Sequence, residues 1–236
     1  MNRSDSHAPW DIAIVAADGL FPGAADAEAL WSLIRSGDDA AVETPGRRWA
    51  PGREGMLHSE GAPDKAWSDV ACLLEQQPEL PPALAHLEDG LDRLDPSYRL
   101  ALSVGARVWS QAQTQNLDPK RCPVILANIA LPSQTSADLC LGVHGALLKE
   151  WAIGSSPKAD SDLGTAPENI GAFAGPAHML SHALGLQGAA YVLDAACASS
   201  LYALHLACQE LRSGTADAVL TGGMSRPDAL YTQVGF

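Results

Sequence analysis

The run from Ala190 to Thr221 constrains this chain more than any other part of it. Ala190-Tyr-Val-Leu193 reads as a short buried strand, and Asp194-Ala-Ala-Cys197 as a tight turn. Ser199 to Ser213 has helical spacing, which predicts an apolar face of Leu201, Leu204, Cys208 and Leu211. Gly214 closes that helix, with Arg212 near its negative end, and Ala218-Val-Leu-Thr221 is a further strand running into Gly222-Gly223. Strand, helix, strand with short joints is a parallel βαβ unit. Parallel sheets need cover on both faces, so the fold class is α/β, a parallel-rich sheet with helices on either side.

Upstream, the same signals place further elements. Asp11-Ile-Ala-Ile-Val15 reads as a buried strand, followed by a turn through Asp18-Gly-Leu-Phe-Pro-Gly23. Asp26 caps a helix with Glu28 in its first turn, Leu30, Leu33 and Ile34 on one face, and Gly37 as its stop. Residues 50–79, rich in Gly, Pro, Ser and charge, are read as loop. Asp95-Pro96 opens a helix carrying Leu100, Val104 and Val108; Pro123 to Asn128 is a strand; Ala137 to Trp151 is helix-like; and Pro176 to Leu184 is a helix ended by Gly185.

Composition bounds the function classes. In 236 residues, a 47% hydrophobic content supplies a sizeable core. Lys+Arg 15 against Asp+Glu 28 leaves a formal charge of -13, which repels phosphate backbones, so nucleic acid is not an expected partner. Met1 to Trp10 form a polar leader without the apolar core of a signal peptide, and no apolar run approaches the ~20 residues that span a bilayer, so a cytoplasmic protein without a membrane span is expected. Gly19 to Gly23 and Gly185 to Gly188 match no nucleotide-binding spacing, and no cofactor is expected on the chain.

The five cysteines, Cys72, Cys122, Cys140, Cys197 and Cys208, show no C-x-x-C spacing and read as free thiols, not as disulfides or a metal site. A cysteine is ordinarily a small buried residue, and four of these are read so. Cys197 differs in its setting. It stands between a strand end and a helix start, where a sharp turn lifts a side chain out of the sheet and the helix dipole favours a thiolate. Ala195, Ala196 and Ala198 leave room for a substrate carbonyl, and the Cys197 N–H can donate to an oxyanion. Cys197 is therefore the candidate nucleophile. His205 lies eight residues further on, ~12 Å along a helix, too far for proton transfer to it. His178 and His182 have a metal-compatible spacing without an accompanying carboxylate motif, and His7, His58, His86 and His144 have no supporting context.

Asp194-Ala-Ala-Cys-Ala-Ser-Ser-Leu201, with His205, Leu211-Arg-Ser-Gly214 and Ala218-Val-Leu-Thr-Gly-Gly223, closely resembles the active-site block of β-ketoacyl synthases. Ile12-Ala-Ile-Val15, Phe21-Pro-Gly23, Leu30-Trp31, Leu33, Ser36-Gly37, Pro45 and Arg48-Trp49 resemble that family's opening segment, and Asp95-Pro96 with Arg99-Leu100 its helix start. Ala195 and Ala198, together with Ile125-Leu-Ala-Asn128 and Leu131-Pro132, look like the polyketide and polyunsaturated-fatty-acid synthase branch.

The resemblance implies the amino-terminal half of a thiolase-like layered fold over residues 11–236, an apparently truncated fragment that is homodimeric when complete, with the strand Ala190 to Leu193 near the subunit interface. It implies an acyltransferase of fatty acid or polyketide synthesis. Cys197 would take an acyl group from the phosphopantetheine of an acyl carrier protein, and a carbanion from a decarboxylating malonyl thioester would attack it. The family's two histidines for decarboxylation lie in its other half, so the isolated chain is expected to be catalytically incomplete. The alternatives are a non-catalytic dimerisation or docking module, which the retained Cys197 disfavours, and a thiolase, which the Phe-Pro-Gly and Leu-Arg-Ser-Gly segments disfavour.

Overall fold

Val124-Ile-Leu-Ala127 is buried along its whole length and forms the axis of the protein. The structure is a computed structural model that describes residues 12–45, 55–58, 61–74, 77–131, 133–154, 166–225 and 230–235. In chain order the helices and strands are α1 (Ala27–Ser36), β1 (Ala41–Glu43), β2 (Val70–Cys72), α2 (Glu88–Leu91), α3 (Pro96–Gln111), β3 (Val124–Ala127), α4 (Gln134–Ile153), α5 (Gly175–Ala183), β4 (Ala190–Leu193), α6 (Ser199–Arg212), β5 (Leu220–Gly223) and α7 (Leu230–Gly235). β3 pairs in parallel with β4 on one side and β5 on the other, so the crossover through α6 skips one strand.

The pleat of β3 divides the core in two. Val124 and Leu126 face the α3 and α5 side, packing in one cluster with Leu102, Ala106, Ala177, Leu180 and Leu220. Ile125 and Ala127 face α6 and meet Ala203 and Ala207. Each fully buried aliphatic side chain contributes about 1.5–3 kcal/mol, which is why a four-residue strand can anchor three helices. The expected α/β class with both sheet faces covered is what the fold shows.

Local signals set most of the boundaries. Asp26 accepts from Ala29 N and Gly37 ends α1 at φ +75°, in the left-handed region that glycine enters without cost. Asp95 caps α3, with Pro96 at its first position. α4 begins three residues before the expected Ala137 because Ser133 and Ser136 form a capping box. β5 starts at Leu220 instead of Ala218: Pro123 has no N–H to donate, so the ladder on β3 begins at the Val124 and Leu220 pair.

Further expectations are corrected. Residues 12–15 form no strand; Ile14 is 77% and Val15 68% exposed, since a strand persists only where a neighbour takes up its backbone groups. Asp11, the first residue of that expected strand, lies outside the described residues. The loop reading of residues 50–79 missed β2, which pairs antiparallel with β1. The buried face of α6 is Ser199, Ala203 and Ala207, while Leu201 and Leu204 point outward and Cys208 and Leu211 are half-buried. Small side chains let the helix backbone lie close to the sheet, so that a Cβ added at Gly223 would come within 3.0 Å of Ser200 Cβ. On α1, Leu30 and Leu33 are half-buried while Ile34 is exposed.

A buried polar knot joins α3 to α4. Ser133 Oγ donates to Asp95 Oδ2 at 2.7 Å, Ser97 Oγ donates to Asp95 Oδ1 at 2.7 Å, and Asp95 N donates to Asn169 Oδ1 at 2.7 Å. Asp95, Ser97 and Ser133 are fully buried, so the knot holds the start of α4 in one place relative to the sheet.

Candidate active site

β4 ends at Leu193, and the backbone reverses through Asp194-Ala195 into a single helical turn, Ala196–Ala198, that runs directly into α6. Ala196 takes φ +51°, a left-handed conformation that costs an alanine energy and is held only when its surroundings impose it. The residue after this strained point is Cys197, and it is exposed. The elbow expected from the sequence is therefore present, at the carboxyl end of the parallel strands and the amino end of the α6 helical run.

Asp194 shapes the turn. Its Oδ2 accepts from Ala130 N at 2.9 Å and its Oδ1 from Ala196 N at 2.8 Å. These two N–H groups, in that order, hold the Asp194 carboxyl below the usual carboxylate range, with burial opposing them. Ser199 Oγ accepts from Ala195 N at 2.8 Å and donates to Ala196 O at 2.6 Å. Sequence reasoning named Cys197 but not Asp194 or Ser199; a carboxylate three residues before the thiol and a hydroxyl two after it were the available signal.

The other cysteines are placed differently. Cys72 lies in β2 and Cys140 on α4, both exposed; Cys208 is half-buried on α6. Cys122 is buried just before β3 and its Sγ donates to Asp118 O at 3.3 Å. Burial first, then the Asp217 and Asp118 carboxylates, push its thiol up from the ordinary value. The unfolded chain would release that proton first, so the contribution of Cys122 to stability is present below the ordinary thiol range and is lost as pH rises from that range through the raised folded value. The urea midpoint of the wild type should thus fall more steeply than that of Cys122→Ala between about pH 8 and pH 10. Parallel slopes would show that Cys122 ionises alike in both states.

The histidines do not gather at the elbow. His205 is exposed along α6, His178 and His182 are exposed on α5, and among the described residues no group of three potential metal ligands occurs. His58, His86 and His144 are exposed, and His7 lies outside the described residues. A concavity of about 350 Å³, lined by Trp109, Leu117, Cys122, Leu184 and Leu186 among others, opens at the opposite end of the sheet from Cys197. At the elbow end, Asn128 follows β3 fully buried, with neither side-chain amide atom hydrogen-bonded among the described residues.

The family model of the β-ketoacyl synthase amino-terminal domain matches residues 10–233. The chain belongs to the β-ketoacyl synthase family. Among curated relatives, this synthase domain is 27% identical over 224 residues to polyketide synthase PksL of Bacillus subtilis, covering 92% of this chain and 4% of that protein. It is 29% identical over 216 residues to polyketide synthase ThaG of Burkholderia thailandensis, covering 91% of this chain and 4% of that protein. The chain thus spans a small part of the polyketide synthases it matches. Its fold is that of the ketosynthase from module 6 of the bacillaene synthase of Bacillus subtilis 168, with a TM-score of 0.70 at 22% identity over 94% of this chain and 34% of that one. The thiolase-like layered class expected from the sequence is confirmed by that likeness. Among the described residues, no helix of this synthase domain is long and apolar enough to cross a membrane.

Proposed function

We propose that this chain is the acyl-loading half of a β-ketoacyl synthase of polyketide assembly, with Cys197 as its nucleophile. The observation that carries the reading is the exposed thiol one residue beyond a left-handed Ala196, at the start of the α6 helical run. In the loading step the Cys197 sulfur attacks the carbonyl carbon of an acyl thioester on the phosphopantetheine of an acyl carrier protein. The tetrahedral oxyanion accepts from the Cys197 N–H, the carrier's carbon–sulfur bond breaks, and the carrier leaves as a thiol after taking up a proton. In the second step a carbanion, left when a malonyl thioester loses carbon dioxide, attacks the acyl-cysteine carbonyl. The Cys197 thiolate departs and a β-ketoacyl thioester is released.

The groups that drive decarboxylation are proposed to lie outside these residues, since the nearest histidine in the chain beyond the thiol, His205, stands eight positions along α6. The complete synthase is proposed to be a homodimer, with β4, an edge strand whose residues are all half-buried, near the interface. Incubating the purified chain with a hexanoyl pantetheine thioester and mapping the acylated peptide by mass spectrometry tests the reading. The modification should fall on Cys197. Acylation spread over the exposed Cys72 and Cys140 with none on Cys197 would overturn it.

A further inference from the structure

The left-handed Ala196 is the joint on which the direction of Cys197 depends, because the φ and ψ of Ala196 set the path of the chain into residue 197. Both peptide groups flanking that joint are gripped. The N–H on its amino side is held by Asp194 Oδ1 at 2.8 Å, and the carbonyl on its carboxyl side accepts from Ser199 Oγ at 2.6 Å. Two fixed peptide planes leave the intervening residue a single conformation. The second Asp194 oxygen reaches across to a different segment, accepting from Ala130 N at 2.9 Å. Three residues after Ala130, Ser133 is fastened to the buried Asp95.

We propose that Asp194 is the positioning residue for Cys197: its two oxygens tie the β3–α4 segment at Ala130 to the strained Ala196 and so hold the thiol at its angle of attack, with Ser199 gripping the other side of the joint. The proposal rests on Cys197 being the nucleophile. Asp194 suits the role because it is exposed at the end of β4, where a carboxylate would otherwise be solvated, yet both its oxygens are committed to backbone donors from separate segments. Its task is geometric; it takes no proton from the thiol. It also holds the backbone at Ala130 beside the elbow.

The test compares the wild-type chain with Asp194→Asn, Asp194→Ala and the double variant Asp194→Ala with Ala196→Gly. Two rates are read at Cys197 by peptide mass spectrometry: alkylation by iodoacetamide and acylation by a hexanoyl pantetheine thioester. Asparagine keeps one acceptor oxygen and alanine keeps none, so the acylation rate should fall roughly tenfold and roughly a hundredfold, the scale of losing one and two charge-assisted hydrogen bonds. Glycine enters the left-handed region freely, so Ala196→Gly should return the Asp194→Ala rate to within about threefold of wild type. A role confined to general stability would lower the melting temperature without any such recovery. Hydrogen exchange supplies a reading independent of the thiol, in which the Ala130 and Ala196 amides should lose protection in Asp194→Asn. Wild-type rates in Asp194→Ala, or unchanged protection of those two amides in Asp194→Asn, would overturn the proposal. If wild-type Cys197 resists the thioester while its alkylation still follows the Asp194 order, the nucleophile reading fails and the positioning role stands.

Discussion

Cys197→Ala is expected to cut acyl transfer from a pantetheine thioester onto the chain by roughly a thousandfold or more, the scale on which removal of a covalent nucleophile acts. The substitution should leave the fold intact. The side chain is exposed, alanine matches Ala196 and Ala198 on either side, and Cys197 belongs to neither buried cluster. Loss of transfer would therefore report on chemistry and not on unfolding, and an unchanged urea midpoint would confirm the distinction. The exposed Cys72 and Cys140 set the background, but neither lies at the start of a helix behind a strained turn. Cys122 is poorly placed to compete, because it is buried and burial pushes its thiol up from the ordinary value. Intact-mass measurement over a time course decides the matter: Cys72→Ala and Cys140→Ala should acylate as the wild type does, and Cys197→Ala should not. Equal acylation in Cys197→Ala would end the nucleophile assignment.

The largest effect on stability is expected at Gly188, in the turn that leads into β4. A Cβ there would lie 2.6 Å from Pro123 N, 2.7 Å from Cys122 C and 2.8 Å from Cys122 O. All three are backbone atoms at the entry to the central strand, and the same turn is pinned by Gln187 N and Gly188 N donating to Pro119 O at 2.9 and 3.1 Å. None of these atoms can swing aside as a flexible side chain would. Gly188→Ala should therefore destabilise the chain by about 3 kcal/mol or more, by forcing β4 away from β3. Gly105 offers a graded comparison: its added Cβ would meet Leu180 side-chain carbons, the nearest at 2.4 Å, which can shift at a cost to the α3–α5 packing. Gly145 is the control, inside α4 with nothing among the described residues within 4 Å of the added Cβ, so Gly145→Ala should raise stability by roughly 0.5–1 kcal/mol. Urea denaturation of the three variants measures the series, and a Gly188→Ala midpoint at or above that of Gly105→Ala would contradict the close approach.

The features that could be read from the chain alone are those that short-range physics settles. A cap lies within three residues of the N–H groups it serves, and a left-handed stop belongs to the glycine that adopts it. Asp26, Gly37, Asp95-Pro96 and Gly185 could thus be read directly, and each does in the structure what its chemistry implies. The strand, turn and helix from Ala190 to Arg212 were legible for the same reason, and with them the setting of Cys197. Faces and partners depend on what lies alongside, and there long-range packing set the outcome. The spacing of Leu201 and Leu204 could not reveal that α6 turns Ala203 and Ala207 to the sheet, because the close approach of helix and sheet selects small side chains over large ones. The apolar run at residues 12–15 carried strand composition but found no ladder partner among the described residues, and β2 formed inside a segment read as loop because β1 lay beside it. The same limit hid the grip on the elbow. Ala130 and Asp194 are separated by 64 residues, and only the parallel pairing of β3 with β4 carries the two segments to the same end of the sheet, within hydrogen-bonding distance of each other.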